Sequence, residues 1–174
     1  RRQWAQIASW RQAAGAVSEH GCVEALYAAA ASQRWQAAAA LGQHPMRSPE
    51  AVAALVDALV DPEEIVRWQA TEALGRQEVG RVFDTLVACL DDSEPLRRAG
   101  AARALGLLGG EAATQQLLPR TADPAPEVRA AVADDVIALC EAKGIARAFV
   151  IGYSDGGNIA PFLAHKRPDL FDRI

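Results

Sequence analysis

Apolar residues recur along this chain at intervals of three and four, the spacing that gathers side chains on one side of an α-helix. Val52, Leu55, Val56 and Leu59 form one stripe, and Ile65, Val66, Ala70, Ala73 and Leu74 the next. Val82, Phe83, Leu86, Val87 and Leu90 are followed by Leu96, Ala99, Ala102 and Leu105. Leu117 and Leu118 are followed by Val128, Ala131, Val132 and Val136. The stripes come in pairs, divided by the short polar turns Asp61-Pro62, Asp92-Ser93 and Asp123-Pro124. An earlier pair is predicted at 22–31 and 32–41, with no Asp-Pro between its helices. Ser48-Pro49-Glu50 reads as a helix start, with serine as N-cap, proline in the first turn and an acid near the positive end of the dipole. Gly42, Gly75, Gly106 and the Gly109-Gly110 pair are predicted to close helices, Gly42 through the left-handed conformation open to glycine. Trp4, Ile7 and Trp10 predict a capping helix within residues 1–17.

The second helix of each pair carries a repeated phrase. It begins Arg34-Trp35-Gln36, Arg67-Trp68-Gln69 and Arg98-Ala99-Gly100, and a worn copy begins at Arg129. The starts are 33, 31 and 31 residues apart. A fixed period of this size marks a solenoid, in which each unit buries its apolar face against its neighbours. The pattern Asp-Pro-x-x-x-Val-Arg-x-x-Ala-x-x-Ala-Leu-Gly, carried best by Asp61 to Gly75, resembles a HEAT repeat of the short kind found in phycobilisome lyases. The resemblance runs over about 18–132. It implies a mostly α fold: a right-handed α-α solenoid of about four HEAT-like repeats at 18–47, 48–78, 79–110 and 111–143. It also implies a scaffold or adaptor that binds a protein partner, with chromophore handling of the phycobilin-lyase type as a distant alternative. The di-iron hydroxylases that share such repeats need His-Glu pairs, and none of His20, His44 and His165 is followed by Glu, so no metal or cofactor is expected.

Each turn aspartate, Asp61, Asp92 and Asp123, stands six residues before an arginine of the phrase, Arg67, Arg98 and Arg129. Two uses are open: an arginine row for an anionic ligand, or an internal Asp–Arg ladder that spaces the repeats. The constant offset favours the ladder, with the carboxylates capping the second helices and pairing with arginines of the same or the next unit. Trp35, Trp68 and Gln69 on the second helices are the candidate partner-binding residues. Packing between repeats is an equal reading for the two tryptophans, since large aromatics serve both interfaces and cores.

Composition narrows these options. Hydrophobic residues make up 51% of the chain, many of them alanine, which suits close helix approach. A net charge of −4 argues against general attraction to nucleic acid. No apolar run approaches the ~20 residues of a membrane span. Cys22, Cys89 and Cys140 are odd in number and far apart, so they are expected to be buried, unpaired thiols in a reducing, cytoplasmic setting. The chain shows no secretory signal. It opens at Arg1 without an initiating Met, and reads as a fragment, a processed product or a trimmed chain.

From about residue 144 the pattern changes. Residues 146–151 (Ala-Arg-Ala-Phe-Val-Ile) read as a short buried strand, followed by Gly152-Tyr153-Ser154-Asp155-Gly156 and a helix from Asn158 to Lys166. Strand, Gly-x-Ser-x-Gly and helix form a nucleophile elbow. With its flanks, the block at 133–174 resembles part of an α/β-hydrolase. That resemblance makes Ser154 the candidate nucleophile and the Asp155 backbone N–H an oxyanion donor. No base completes the triad: His165 lies about 11 residues on, at the far end of the following helix, where each residue adds about 1.5 Å. A serine hydrolase acting on an ester or acyl group, whole or as a fusion, is the alternative function. A lone strand at 146–151 would leave two unpaired edges, which predicts that it pairs with a strand of another copy, by self-association, or of a partner, or else is not a strand.

Overall fold

A computed structural model describes residues 18–142, 144, 146–147 and 159–171. The expected N-terminal helix at 1–17, residues 148–151 of the expected strand, and the elbow with Ser154 and Asp155 lie outside the described residues. Ala146 and Arg147 belong to neither helix nor strand, and no strand occurs among the described residues. The chain divides into two compact units at Gln77/Glu78.

The first unit holds two helix pairs: α1 (Glu19–Leu26) with α2 (Ala31–Leu41), and α3 (Pro49–Asp57) with α4 (Glu64–Gly75). A 3₁₀ turn, Ala58–Val60, extends α3. Helix α1 packs on α2 and α3, and α4 packs on α2 and α3. The predicted serine start is present: Ser48 Oγ accepts from the Ala51 N–H at 3.2 Å. Ser18 caps α1 in the same way through the Gly21 N–H. Val52, Leu55, Val56 and Leu59 are buried as the stripe predicts, as are Val66, Ala70, Ala73 and Leu74. Ile65 departs from its stripe and is 44% exposed. It follows the first residue of α4 and precedes the buried Val66, so the helix turns it outward.

Gly42 does follow α2, but with φ −73°, not in the predicted left-handed conformation. Its smallness serves packing instead: a Cβ there would lie 2.9 Å from Ala73 Cα and 3.0 Å from Ala73 Cβ, so the end of α2 touches α4 through bare backbone. Gln77 is a core contributor outside every apolar stripe. It is 6% exposed, accepts from the Met46 N–H at 2.8 Å and donates to Ala73 O at 3.2 Å. One amide thus satisfies a loop N–H and a carbonyl in the last turn of α4.

In the second unit α5 (Val79–Cys89) pairs with α6 (Pro95–Leu108), and α7 (Gly110–Leu117) leads through a 3₁₀ turn, Leu118–Ala122, into α8 (Pro126–Ala142). Helix α6 packs on α5, α7 and α8. Val82, Leu86, Leu90, Ala102, Leu105, Leu117, Val128, Ala131 and Val132 are buried, as predicted. Leu118 is not: it is 54% exposed, because the chain tightens into the 3₁₀ turn at that residue and leaves the α-helical phase. Gly106 lies inside α6, and Gly109, with φ +68°, makes the break. The predicted tail helix is present as α9 (Ile159–Lys166) and docks on α8. Leu163, Leu170 and Phe171 are buried, and ion pairs join Lys166 to Asp134 and Arg167 to Glu141. All three cysteines are buried, and none forms a disulfide. Burial, then the nearby Glu19 charge, pushes the Cys22 thiol up; burial and Glu141 do the same at Cys140.

Candidate functional site

The phrase arginines are built into the framework. Arg34 reaches across its unit to Asp61 with two parallel bonds, Nε to Oδ2 at 2.6 Å and Nη2 to Oδ1 at 3.0 Å. Arg98 holds Asp123 in the same fork, at 2.9 Å and 2.9 Å. Such bidentate pairs are strong and fix geometry. The third nitrogen, Nη1, turns back on the chain's own interhelix turn: Ala28 O and Ala29 O for Arg34, Asp92 O and Ser93 O for Arg98. Arg67 donates to Asp61 O and Pro62 O, and Arg129 to Asp123 O and Pro124 O. Each guanidinium therefore ties off carbonyls that the turn leaves open, and Arg34 and Arg98 also grip the next turn's carboxylate.

The turn aspartates do not cap the helices as expected. Their Oδ1 accepts from the N–H two residues on, Glu63 for Asp61, Glu94 for Asp92 and Ala125 for Asp123, at 2.8 to 2.9 Å. This is an Asx turn, which bends the chain into the helix one residue before the helical hydrogen bonds begin. Burial works to raise the Asp61 carboxyl, but the Arg34 bond, the Glu63 N–H and the Arg34 and Arg67 charges outweigh it and hold the group below the usual carboxylate range. Asp123 has the same balance, with Arg98 and the Ala125 N–H lowering it. The backbone N–H of Glu94 leads the lowering at Asp92. These contacts favour the ladder over an arginine row offered to an anion.

On α4 the exposed side chains are apolar and acidic. Trp68 is 49% exposed on α4, beside Ile65 three residues earlier. Trp35 and Gln69 are half-buried. Glu63 and Glu64 are exposed at the start of α4, and Glu72 one turn beyond Trp68 pairs with Arg76 at 2.7 Å. A cavity of about 350 Å³ opens between Cys22, Leu41, His44 and Met46, and another of about 300 Å³ between Leu26, Tyr27, Ala54 and Pro62. The Tyr27 hydroxyl donates to Asp57 at its edge, at 3.1 Å. Among the described residues no three His, Cys, Asp or Glu side chains gather as a metal site requires, and no helix is long and apolar enough to cross a membrane. Exposed His165 lies on α9. Sequence reasoning missed Ile65 as a surface residue because its spacing fits the buried stripe equally well.

The family model described as HEAT repeats matches residues 21–93 and 61–136. Phycocyanobilin lyase subunit alpha of Synechococcus elongatus is 34% identical over 106 residues, 57% of this chain and 38% of that protein. The carbamate hydrolase candidate RutD of Caulobacter sp. (strain K31) is 41% identical over 49 residues, 28% of this chain and 18% of that protein. The chain thus spans well under half the length of either relative. Among solved structures, human deoxyhypusine hydroxylase in complex with glycerol is similar at a TM-score of 0.53 and 24% identity, covering 69% of this chain and 42% of that one, a likeness of fold.

Proposed function

This chain belongs to the HEAT-repeat family, and on that premise we propose that it is a scaffold that binds a protein partner through the second helices of its first unit, with Trp68 as anchor and Trp35 and Gln69 beside it. One observation carries the reading: a tryptophan and an isoleucine share the open side of α4 while the arginines around them are engaged by the framework. Half-exposed indole is costly in water and is a favoured interface anchor. The test is a pull-down from the source cell, run with the full chain and with Trp68→Ala. A partner retained by the first and lost by the second supports docking at α4; equal retention moves the interface elsewhere.

A second reading has its own support in the 49-residue likeness to the hydrolase candidate and in the Gly-x-Ser-x-Gly sequence at 152–156. In it Ser154 attacks an ester or other acyl carbonyl, the Asp155 N–H stabilises the oxyanion, and a base comes from outside the described residues. Fluorophosphonate labelling that disappears in Ser154→Ala would establish this reading; no labelling removes it. The likeness to the lyase subunit supports a third, chromophore handling, which absorbance of the purified protein would check.

A further inference from the structure

We propose that the partner segment received by α4 is basic: an arginine or lysine side chain lies over the Trp68 indole, between Glu64 and Glu72, while an apolar neighbour covers Ile65. The proposal rests on the docking reading and adds the partner's chemistry. Glu64 stands four residues before Trp68 and Glu72 four after, so the helix sets a carboxylate about 6 Å along its axis on either side of the ring. Ile65 falls on the same side and is 44% exposed.

The charges of the first unit are unevenly available. Residues 1–77 carry eight carboxylates and seven arginines, and the arginines nearest Trp68 in sequence, Arg67 and Arg76, are both engaged. Arg34 is spent on Asp61. Arg67, next to Trp68, is drawn back onto the carbonyls of Asp61 and Pro62 at 2.7 and 3.0 Å. Arg76 sits on Glu72, whose side chain keeps 22% of its surface. Glu63 and Glu64 are exposed. The ring is therefore flanked by exposed Glu64 and by Glu72, with its face partly open. A guanidinium or ammonium gains from the quadrupole of the indole and from the carboxylates together. An acidic segment meets like charge, which costs affinity and excludes it. Stacking suits arginine more than lysine, because its planar fork can lie on the ring and still reach a carboxylate.

The experiment selects displayed random peptides on the full chain, then measures a recovered peptide by titration calorimetry on the full chain and its variants. The expected peptides are enriched in arginine and lysine beside an aliphatic or aromatic residue. Their affinity should fall about tenfold in Trp68→Ala, as loss of a cation–π contact and its apolar cover implies. Glu64→Lys should weaken binding comparably, and added salt should weaken it as the Debye length shrinks below about 8 Å. Trp68→Phe, which keeps a ring, should recover part of the loss. Peptides that need Trp68 but are neutral or acidic would overturn the basic partner and leave the docking reading standing. Recovered peptides that all ignore Trp68 would overturn both.

Discussion

In the first unit Arg34 grips Asp61 across 27 residues, and in the second Arg98 grips Asp123 across 25, with the same fork and the same return of Nη1 to the preceding turn. What the two units place beside that arginine differs. The residue after it is Trp35 or Trp68 in the first unit and Ala99 or Ala130 in the second. The first unit brings α2 against α4 through Gly42; the second breaks cleanly at Gly109 and carries α9 docked on α8. The shared part is chemistry that any pair of neighbouring repeats needs, because each interhelix turn leaves carbonyls open. The unshared part is free to vary, and there a partner's requirements can be written without disturbing the stack.

The largest expected effect strikes the shared part. Asp123→Ala leaves the Arg98 fork, whose side chain is 11% exposed, without its carboxylate and removes the Asx turn before α8. Breaking one side of such a pair costs about 3 kcal/mol, measured as a fall in ΔG of unfolding by urea. Asp61→Ala should do the same in the first unit. Arg129→Gln should cost less than Arg98→Gln, since Arg129 holds turn carbonyls and Arg98 holds a carboxylate as well. Equal losses at positions 98 and 129 would break the claim that the fork is the common element. The pairs also fix an acid dependence. Asp61 and Asp123 titrate lower in the folded chain than the unfolded value of about 3.9, so their stabilisation is present above that pH and is lost as pH falls through the folded values. A urea midpoint that drops below about pH 4 in the parent, and drops less in Asp61→Asn/Asp123→Asn, checks it.

Gly42→Val comes next. Its Cβ would meet Ala73 Cα, which is backbone and cannot swing aside. Overpacking of this kind costs about 1–3 kcal/mol. The second unit offers the control: Gly80 has open space where a Cβ would go, so Gly80→Ala should be neutral or slightly stabilising. Thermal melts of the two variants compare a packing glycine with an incidental one.

The helices, their pairing and most of the core were legible from sequence, because burial at Leu55, Leu74, Leu86 and Leu105 follows a 3.6-residue period that few other structures produce. The constant offset pointed to Asp–Arg pairs within a repeat or with the next one, but at that offset the arginine holds the aspartate's backbone carbonyl, and the Asp61 and Asp123 carboxylates go to the arginine of the preceding repeat, a direction that spacing alone does not give. Gly42 was misread because a C-cap and a close approach between helices ask for the same residue. Gln77 was invisible: its role depends on where the backbone of Met46 arrives, which no local pattern encodes. Ile65 and Leu118 failed because a stripe has edges, and periodicity does not tell an edge position in the core from one in water.

The smallest expected effect on stability is also the one most telling for function. Trp68 is half in solvent and Val66 and Ala70 beside it carry the core contact, so Trp68→Ala should change the free energy of unfolding by no more than about 0.5 kcal/mol, the usual size for surface positions. The same change should weaken docking on α4 about tenfold. Trp35→Ala, at the equivalent slot but half-buried, should lose more stability, within the range of a partial cavity of about 1–2 kcal/mol. If Trp68→Ala instead destabilises as much as Trp35→Ala, the indole belongs to the framework, and the contrast between a repeated Arg–Asp fork and an outer face that differs between the units disappears from the first unit.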